Sequence, residues 1–298
     1  MTGKALAATL GMAFLFGTSF VASKVGLSGF SPTQLVFLRF AVASLLFAAV
    51  WPWTKRARLT PAQAKSVLLL ALLEPGAYFF LESYGLQRTQ ASTASVLIAT
   101  IPVLVLVFEA VFLHVKVALA DAALVLASLF GVGVLLTAGG LDKALGGTLV
   151  GNLLILGAAL AAAVYTLVAR TLMASVDAFT VTRWQAFFAA GFYLPFALGA
   201  CYRGCDLPTK WEPWVAVVYL GVACSFLAYF LLNYALSKAR ASLVAAFSNL
   251  IPVVATAWAV VILGETLHVQ QLAGAALTVG AVTVLTLRHR GSAPPPAG

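Results

Sequence analysis

Residues 84–103 read YGLQRTQASTASVLIATIPV, and residues 234–253 read YALSKARASLVAAFSNLIPV. At one fixed offset Tyr84 falls on Tyr234, Leu86 on Leu236, Ala91 on Ala241 and Ser92 on Ser242. Ile101, Pro102 and Val103 fall on Ile251, Pro252 and Val253, and Arg88 meets Lys238, a match of charge. The similarity fades and then resurfaces downstream, where Val132, Val134 and Leu135 match Val282, Val284 and Leu285. Apolar helices of low complexity can look alike by accident. A tyrosine, a base and a proline in common register argue instead for an internal duplication of roughly half the chain.

The chain has 298 residues, 62% of them hydrophobic and 9% charged. A soluble domain carries roughly 25% charged residues, so this surface is not built for water and the chain reads as a polytopic membrane protein. Crossing the hydrocarbon takes about 20 apolar residues. Segments of that kind fall at 5–25, 33–53, 65–86, 91–113, 118–138, 149–171, 179–201, 213–236, 241–263 and 269–288. Backbone groups in lipid must be satisfied within a segment, so all ten are expected to be transmembrane helices and the fold all-α. The apolar run at the start continues to Ser23, too long for a signal peptide, and reads as the first span. Turn formers at 29–32, 139–147 and 208–213 mark short links, and the Pro-rich tail 291–298 is expected to be disordered.

The net charge of +9 does not point to nucleic acid, because the bases sit at the ends of apolar segments, where they act as topology signals. With the N-terminus cytoplasmic, the inner side holds Lys4, Lys55, Arg56, Arg58, Lys65, Lys116, Arg170, Arg183, Lys238, Arg240, Arg288 and Arg290. The outer side then holds Lys24, Arg39, Arg88, Lys143, Arg203 and Lys210. Both termini are therefore expected in the cytoplasm, with the chain in the inner (plasma) membrane. Ten spans divide into repeats at 1–143 and 144–290. Five spans per repeat is an odd number, so the second copy must enter the membrane in the opposite sense. Such inverted repeats are typical of secondary transporters that expose one central site alternately to each side. At a slightly different offset Lys24 falls on Arg170, Ser31 on Asp177 and Arg39 on Gln185.

The opening FGTSFVASKVG (16–26), the run SPTQLVFLRF (31–40), the two YxL…AS…IPV blocks and LGETLHVQQLAGAALTVGAV (263–282) resemble the EamA family of the drug/metabolite transporter superfamily. The resemblance covers residues 6–287. It implies two five-helix repeats around a central cavity and movement of small metabolites or amino acids, often outward. One departure matters. The family often carries a Gly-Glu pair after both the fourth and the ninth helix; here Gly264 and Glu265 supply the second pair, but His114 and Val115 stand at the first.

Ionisable groups inside spans cost about 2.5–3.5 kcal/mol even on the lenient insertion scale and so call for an explanation. Glu74, Tyr78 and Glu82 recur every four residues on one face of the third span, and Pro75 is placed to kink it. One reading is a cavity wall whose carboxylates bind a substrate amine or carry a proton. The other puts Glu82 near outer water and pairs Glu74 with a base on another helix. Ser225, Tyr229 and Asn233 repeat the spacing in the eighth span without a carboxylate. Ser95, Pro102 and Glu109, and likewise Ser242, Asn249 and Thr256, fall at heptad spacing in the fourth and ninth. Solvation at the cytoplasmic end explains Glu109 most simply. Substrate-binding candidates are Tyr78, Glu82, Tyr165, Tyr229, Asn233 and Asn249; Glu74 and Glu82 are candidates for proton coupling. Pro102 and Pro252, at matching places within helices, are candidate hinges.

Trp51, Trp53, Trp211 and Trp214 sit at span ends as interfacial residues, whereas Trp184 and Trp258 read as interior. Gly131, Gly133, Gly157, Ala161, Gly274 and Gly280 allow close helix packing. Cys201 and Cys205 could pair if their loop faces an oxidising compartment, although the spacing is poor for a bridge; Cys224 reads as packing. His114, His268 and His289 lie apart at segment ends, so no metal site or cofactor is expected, and no G-x-x-x-x-G-K-[ST] motif is present. These features add up to a secondary transporter that moves small organic metabolites, amino acids foremost, by alternating access, in the export direction, with protons as possible co-substrate. The alternatives are a channel or facilitator for small solutes and a membrane-embedded enzyme.

Overall fold

A computed structural model describes residues 1–54, 59–89, 94, 97–137, 148–202, 207–263 and 268–289. The described chain is helical throughout: α1 (Gly3–Leu27), α2 (Pro32–Val50), α3 (Pro61–Ala71), α4 (Tyr78–Leu86), α5 (Ile101–Phe112), α6 (Leu119–Leu136), α7 (Leu149–Leu172) and α8 (Ala178–Tyr202). It continues with α9 (Glu212–Tyr219), α10 (Tyr229–Lys238), α11 (Ala241–Ala246), α12 (Leu250–Leu263) and α13 (Val269–Arg288). Local chemistry starts these helices. Ser31 and Gln34 form a reciprocal capping box with Pro32 in the first turn of α2, and Thr60, Gln63 and Pro61 do the same for α3. Asp177, which the repeat aligns with Ser31, caps α8 by accepting from the Thr180 amide at 2.9 Å.

Nine stretches among the described residues are long and apolar enough to cross a membrane, and only 28–50% of each is buried inside the protein. Leu45, Leu119 and Phe130 are 71%, 86% and 67% exposed. A soluble monomer does not leave so much apolar surface uncovered, so this one belongs in lipid as a multi-pass membrane protein. The segment expected at 91–113 is described mainly through α5, which has 12 residues and is too short to span alone.

The two halves break their helices at matching places. Between α3 and α4 the chain forms a π-helical segment, Leu72–Ala77; between α9 and α10 it forms another, Leu220–Ala228. A turn ends at Thr100 before α5, and a 3-10 turn, Phe247–Asn249, precedes α12. Packing partners match as well. The first π-helical segment lies against α8 and the second against α2; α4 packs on α7 as α10 packs on α1; α5 packs on α7 as α12 packs on α1. The remaining large contacts, α2 with α8 and α6 with α13, join equivalent helices of the two halves.

Several expectations are corrected here. Pro102 lies in the first turn of α5, and Pro252 is the third residue of α12. Neither interrupts a continuous helix, because a proline costs nothing in a first turn whose N–H groups have no helical partner. The actual helix interruption in the third span lies at Glu74, whose backbone is extended (φ −147°, ψ 117°) before Pro75. Arg39 and Arg183, counted above as loop charges, are buried within α2 and α8. Trp184, expected inside, is 40% exposed. Of the small residues, Gly131 and Gly274 set the α6–α13 contact: an added Cβ would meet the Thr278 backbone N at 2.8 Å and the Gly131 carbonyl O at 2.6 Å respectively. Gly133 and Gly280 face open space. Cys201 is disulfide-bonded and Cys224 is a buried free thiol, while Cys205 lies outside the described residues, as do Ser92, Ser95, Gly264, Glu265 and the tail. His114, in the position where the resemblance leads one to expect glycine, holds φ at +49°.

Candidate functional site

Residues of α1, α2, α4, α7 and α10, with Glu74 of the first π-helical segment and residues of α11 and α12, enclose a cavity of about 260 Å³; α8 stands behind it. It runs from Met12, midway along α1, to Leu27, Pro32 and Gln87 at the helix ends. Its polar wall consists of Arg39, Glu74, Tyr78, Glu82 and Tyr229, with serines at 19, 23, 83 and 248. Thr166 and Gln87 also line it, and the rest is apolar, including Phe16, Phe79, Ile101 and Leu232.

The irregular backbone at Leu72–Ala77 explains how Glu74 reaches this wall. A π-helical turn leaves carbonyls without their usual partners, and lipid cannot supply replacements. Side chains of α8 do so: Tyr193 donates its hydroxyl to the Gly76 carbonyl at 2.7 Å, and Gln185 Nε2 donates to the Glu74 carbonyl at 2.9 Å. Gln185 is itself held, accepting from Asn233 Nδ2 at 2.9 Å. Asn233 also donates to Thr182 at 2.9 Å and accepts the Tyr165 hydroxyl at 2.6 Å. Behind the cavity there is thus a closed polar network whose members are fully buried. Buried networks of this kind fix geometry because any unpaired member is costly.

In front of that network each carboxylate receives one tyrosine. Tyr229 donates to Glu74 Oε1 at 2.7 Å, and Tyr78 donates to Glu82 Oε1 at 3.0 Å. Arg39 is 5% exposed; its Nε donates to Ser225 at 2.8 Å, and its guanidinium lies 4.9 Å from the centre of the Phe79 ring. The repeat relation reappears in these contacts. Arg39 of α2 reaches the second π-helical segment, and its aligned residue Gln185 of α8 reaches the first.

The sequence-derived candidates separate into two groups. Glu74, Tyr78, Glu82 and Tyr229 line the cavity. Tyr165 and Asn233 lie behind it, bonded to each other and wholly buried. Asn249 is elsewhere, donating to Ser128 of α6 at 2.8 Å. Glu109, assigned to solvent above, is 3% exposed; it accepts from the Ser242 amide at 3.3 Å and pairs with Arg240 at 3.5 Å. Asp121 pairs nearby with Arg288 at 3.1 Å and His289 at 2.9 Å, and the Met1 amine donates to the His289 carbonyl. Met1 and the end of α13 thus meet at the end of the bundle opposite Leu27 and Gln87. Sequence reading gave Arg39, Gln185 and Tyr193 no site role, and it placed Ser225 in a polar stripe without seeing its contact with Arg39. A lone arginine eight residues into an apolar span was the available signal for the first; the others are visible only once the helices are packed. Among the described residues no group of His, Cys, Asp or Glu is arranged to hold a metal.

Comparison with known proteins fits this geometry. The EamA-like transporter family matches residues 3–137 and again residues 149–287. An uncharacterized transporter of Bacillus subtilis, YcxC, is 31% identical over 88% of this chain and 86% of its own length. An uncharacterized transporter of Archaeoglobus fulgidus is 28% identical over 92% of this chain and 94% of its own. A probable terminal-alkyne amino-acid exporter of Streptantibioticus cattleyicolor is 28% identical over 93% and 91%. A solved crystal structure superposes with a TM-score of 0.77 over 97% of this chain and 99% of that one at 22% identity, a likeness of fold. On the two family matches and the full-length relatives, the chain belongs to the EamA-like transporter family of the drug/metabolite transporter superfamily.

Proposed function

We propose that this protein is a secondary transporter that exports amino acids or closely related metabolites from the cytoplasm by alternating access. The observation that carries the reading is a cavity at the join of the two halves, lined by two carboxylates and two tyrosines and bounded by the paired helix breaks. The likeness to a probable amino-acid exporter supports the substrate class and the direction. The matching breaks and packing partners support ten spans in two inverted repeats, divided near residues 143–144. Meeting of the Met1 amine and His289 at one end supports an even number of crossings. A cytoplasmic location for that end, in the cell's inner membrane, agrees with the bases gathered there and with a disulfide at Cys201 on the other.

In this mechanism Glu74, Tyr78, Glu82 and Tyr229 meet the substrate, and Glu74 and Glu82 are placed to carry a proton in exchange. The breaks preceding Pro102 and Pro252 are the hinges, since irregular backbone beside a cavity bends more readily than a continuous helix. The ion pairs of Glu109 and Asp121 close the cytoplasmic end and part when the site faces inward. Thermal melting of purified protein against a panel of amino acids and their derivatives tests the substrate class, because a ligand that binds the native state raises its stability. A shift with at least one member, followed by saturable flux of it in proteoliposomes, is the expected outcome. Ion currents with unitary steps in place of saturable flux would favour a channel.

A further inference from the structure

Arg39 poses a problem that the exchange of an amine or a proton does not solve. It sits midway along an apolar span, 5% exposed, and among the described residues it has no ion-pair partner. Its Nε is committed to Ser225, and its guanidinium carbon lies 5.7 and 4.9 Å from the ring centres of Phe40 and Phe79. This clamp fixes the plane of the guanidinium, and Arg39 lines the cavity. A cation this buried with no carboxylate within 4.0 Å is costly to hold, and Glu82 on the same cavity is the anion in electrostatic reach of it. A fixed guanidinium edge offers two parallel N–H donors, the geometry that suits a carboxylate.

The same cavity holds the opposite charge at a second place. Glu74 and Glu82 each accept a tyrosine hydroxyl on Oε1, and neither Oε2 has a protein hydrogen bond among the described residues. The cavity's hydrocarbon and aromatic lining includes Met12, Phe16, Val36, Leu232, Val244 and Ile251, beside the serines. A ligand that satisfies all three features carries a carboxylate, an ammonium and an apolar side chain.

We propose that Arg39 is the specificity-determining residue of this transporter. It binds the substrate carboxylate, while Glu74 and Glu82 face the ammonium, so the site selects zwitterionic α-amino acids with apolar side chains and rejects the corresponding amines. The assignment rests on the transporter reading above but is separable from it. Ser225 and Phe79 are positioning residues that act through Arg39.

The test uses full-length purified protein and two probe sets. One is L-leucine with 3-methylbutylamine and 4-methylpentanoate; the other is L-phenylalanine with 2-phenylethylamine and 3-phenylpropanoate. Binding by calorimetry and flux in proteoliposomes are both measured. The amino acid of at least one set should bind between about 10- and 100-fold more tightly than its amine, the range expected for hydrogen bonds to a charged group. Arg39→Gln should abolish that preference, by a loss of amino-acid affinity of about 10- to 100-fold relative to the amine. Arg39→Lys should keep part of the preference, and Ser225→Ala should weaken it without removing it. Should Arg39→Gln fail to fold, the wild-type panel with Arg39→Lys and Ser225→Ala decides. Amines that bind as tightly as their amino acids, or a preference that survives Arg39→Gln, would overturn the role of Arg39 and leave the transporter reading standing. Absence of binding and flux for every member of both sets would overturn this inference, and saturable flux of another metabolite in the same vesicles would then show that transport itself survives.

Discussion

The two halves of this protein share their helix breaks but not their charges. The first half contributes Arg39, Glu74, Tyr78 and Glu82 to the cavity; at the related places the second half has Gln185, Ser225, Tyr229 and Asn233, and of these Tyr229 lines it. The neutral set is the better buried and the more fully bonded. Gln185 and Asn233 hold each other, Tyr165, Thr182 and the freed Glu74 carbonyl, whereas Arg39 and the carboxylates keep hydrogen-bonding capacity turned toward open space. Duplication gave two equivalent frameworks, and one of them became the support that lets the other carry exposed chemistry inside a membrane. On the proposed reading the labour is divided: first-half side chains, with Tyr229, meet what is moved, and the buried second-half network of Gln185 and Asn233 holds the site's shape.

The sharpest way to break this comparison is to remove one polar group from each half. Glu82→Gln should lower amino-acid flux by about 100-fold, on the scale of losing a hydrogen-bonded charge, with the melting temperature close to wild type. Asn233→Leu should do the reverse, costing about 2 kcal/mol of stability because Tyr165, Thr182 and Gln185 lose buried partners, while any folded fraction keeps its substrate preference. Equal effects on flux and melting in the two variants would erase the distinction.

Smaller perturbations sharpen it. Gly274→Val should cost about 1–3 kcal/mol in thermal or denaturant unfolding, since the branched side chain meets the backbone of α6 at a seam that belongs to both halves. His114→Gly should stabilise by about 1 kcal/mol by relieving a left-handed residue. Asn249→Leu should cost only about 0.6 kcal/mol, the average for a hydrogen bond between membrane helices, with flux unchanged.

Much of the architecture was legible in the sequence. Apolar length located nine of the ten expected spans among the described residues, and the tyrosine, base and proline of residues 84–103 and 234–253 pointed to the two family repeats. The four-residue spacing of Glu74, Tyr78 and Glu82 put them on one face, and that face does line the cavity. Spacing alone could not place Tyr165, Asn233 and Asn249, because a polar residue in a span can turn toward a cavity or toward a neighbouring helix, and only packing decides. It also misjudged Arg39, Arg183 and Glu109. Charge counting assigns every base or acid near a span end to a loop, whereas a long side chain between paired helices can find hydrogen bonds and aromatic faces inside. The prolines misled for a related reason. Pro102 and Pro252 mark the breaks faithfully, but the breaks lie just before them.

The most direct test is efflux of a radiolabelled amino acid that binds the protein, from proteoliposomes with and without an imposed pH gradient, for the wild type and for Glu74→Gln/Glu82→Gln. The account predicts saturable efflux that the gradient accelerates in the wild type, and a double variant whose residual flux ignores the gradient. Wild-type efflux indifferent to the gradient, or a double variant that responds to it as the wild type does, would contradict it.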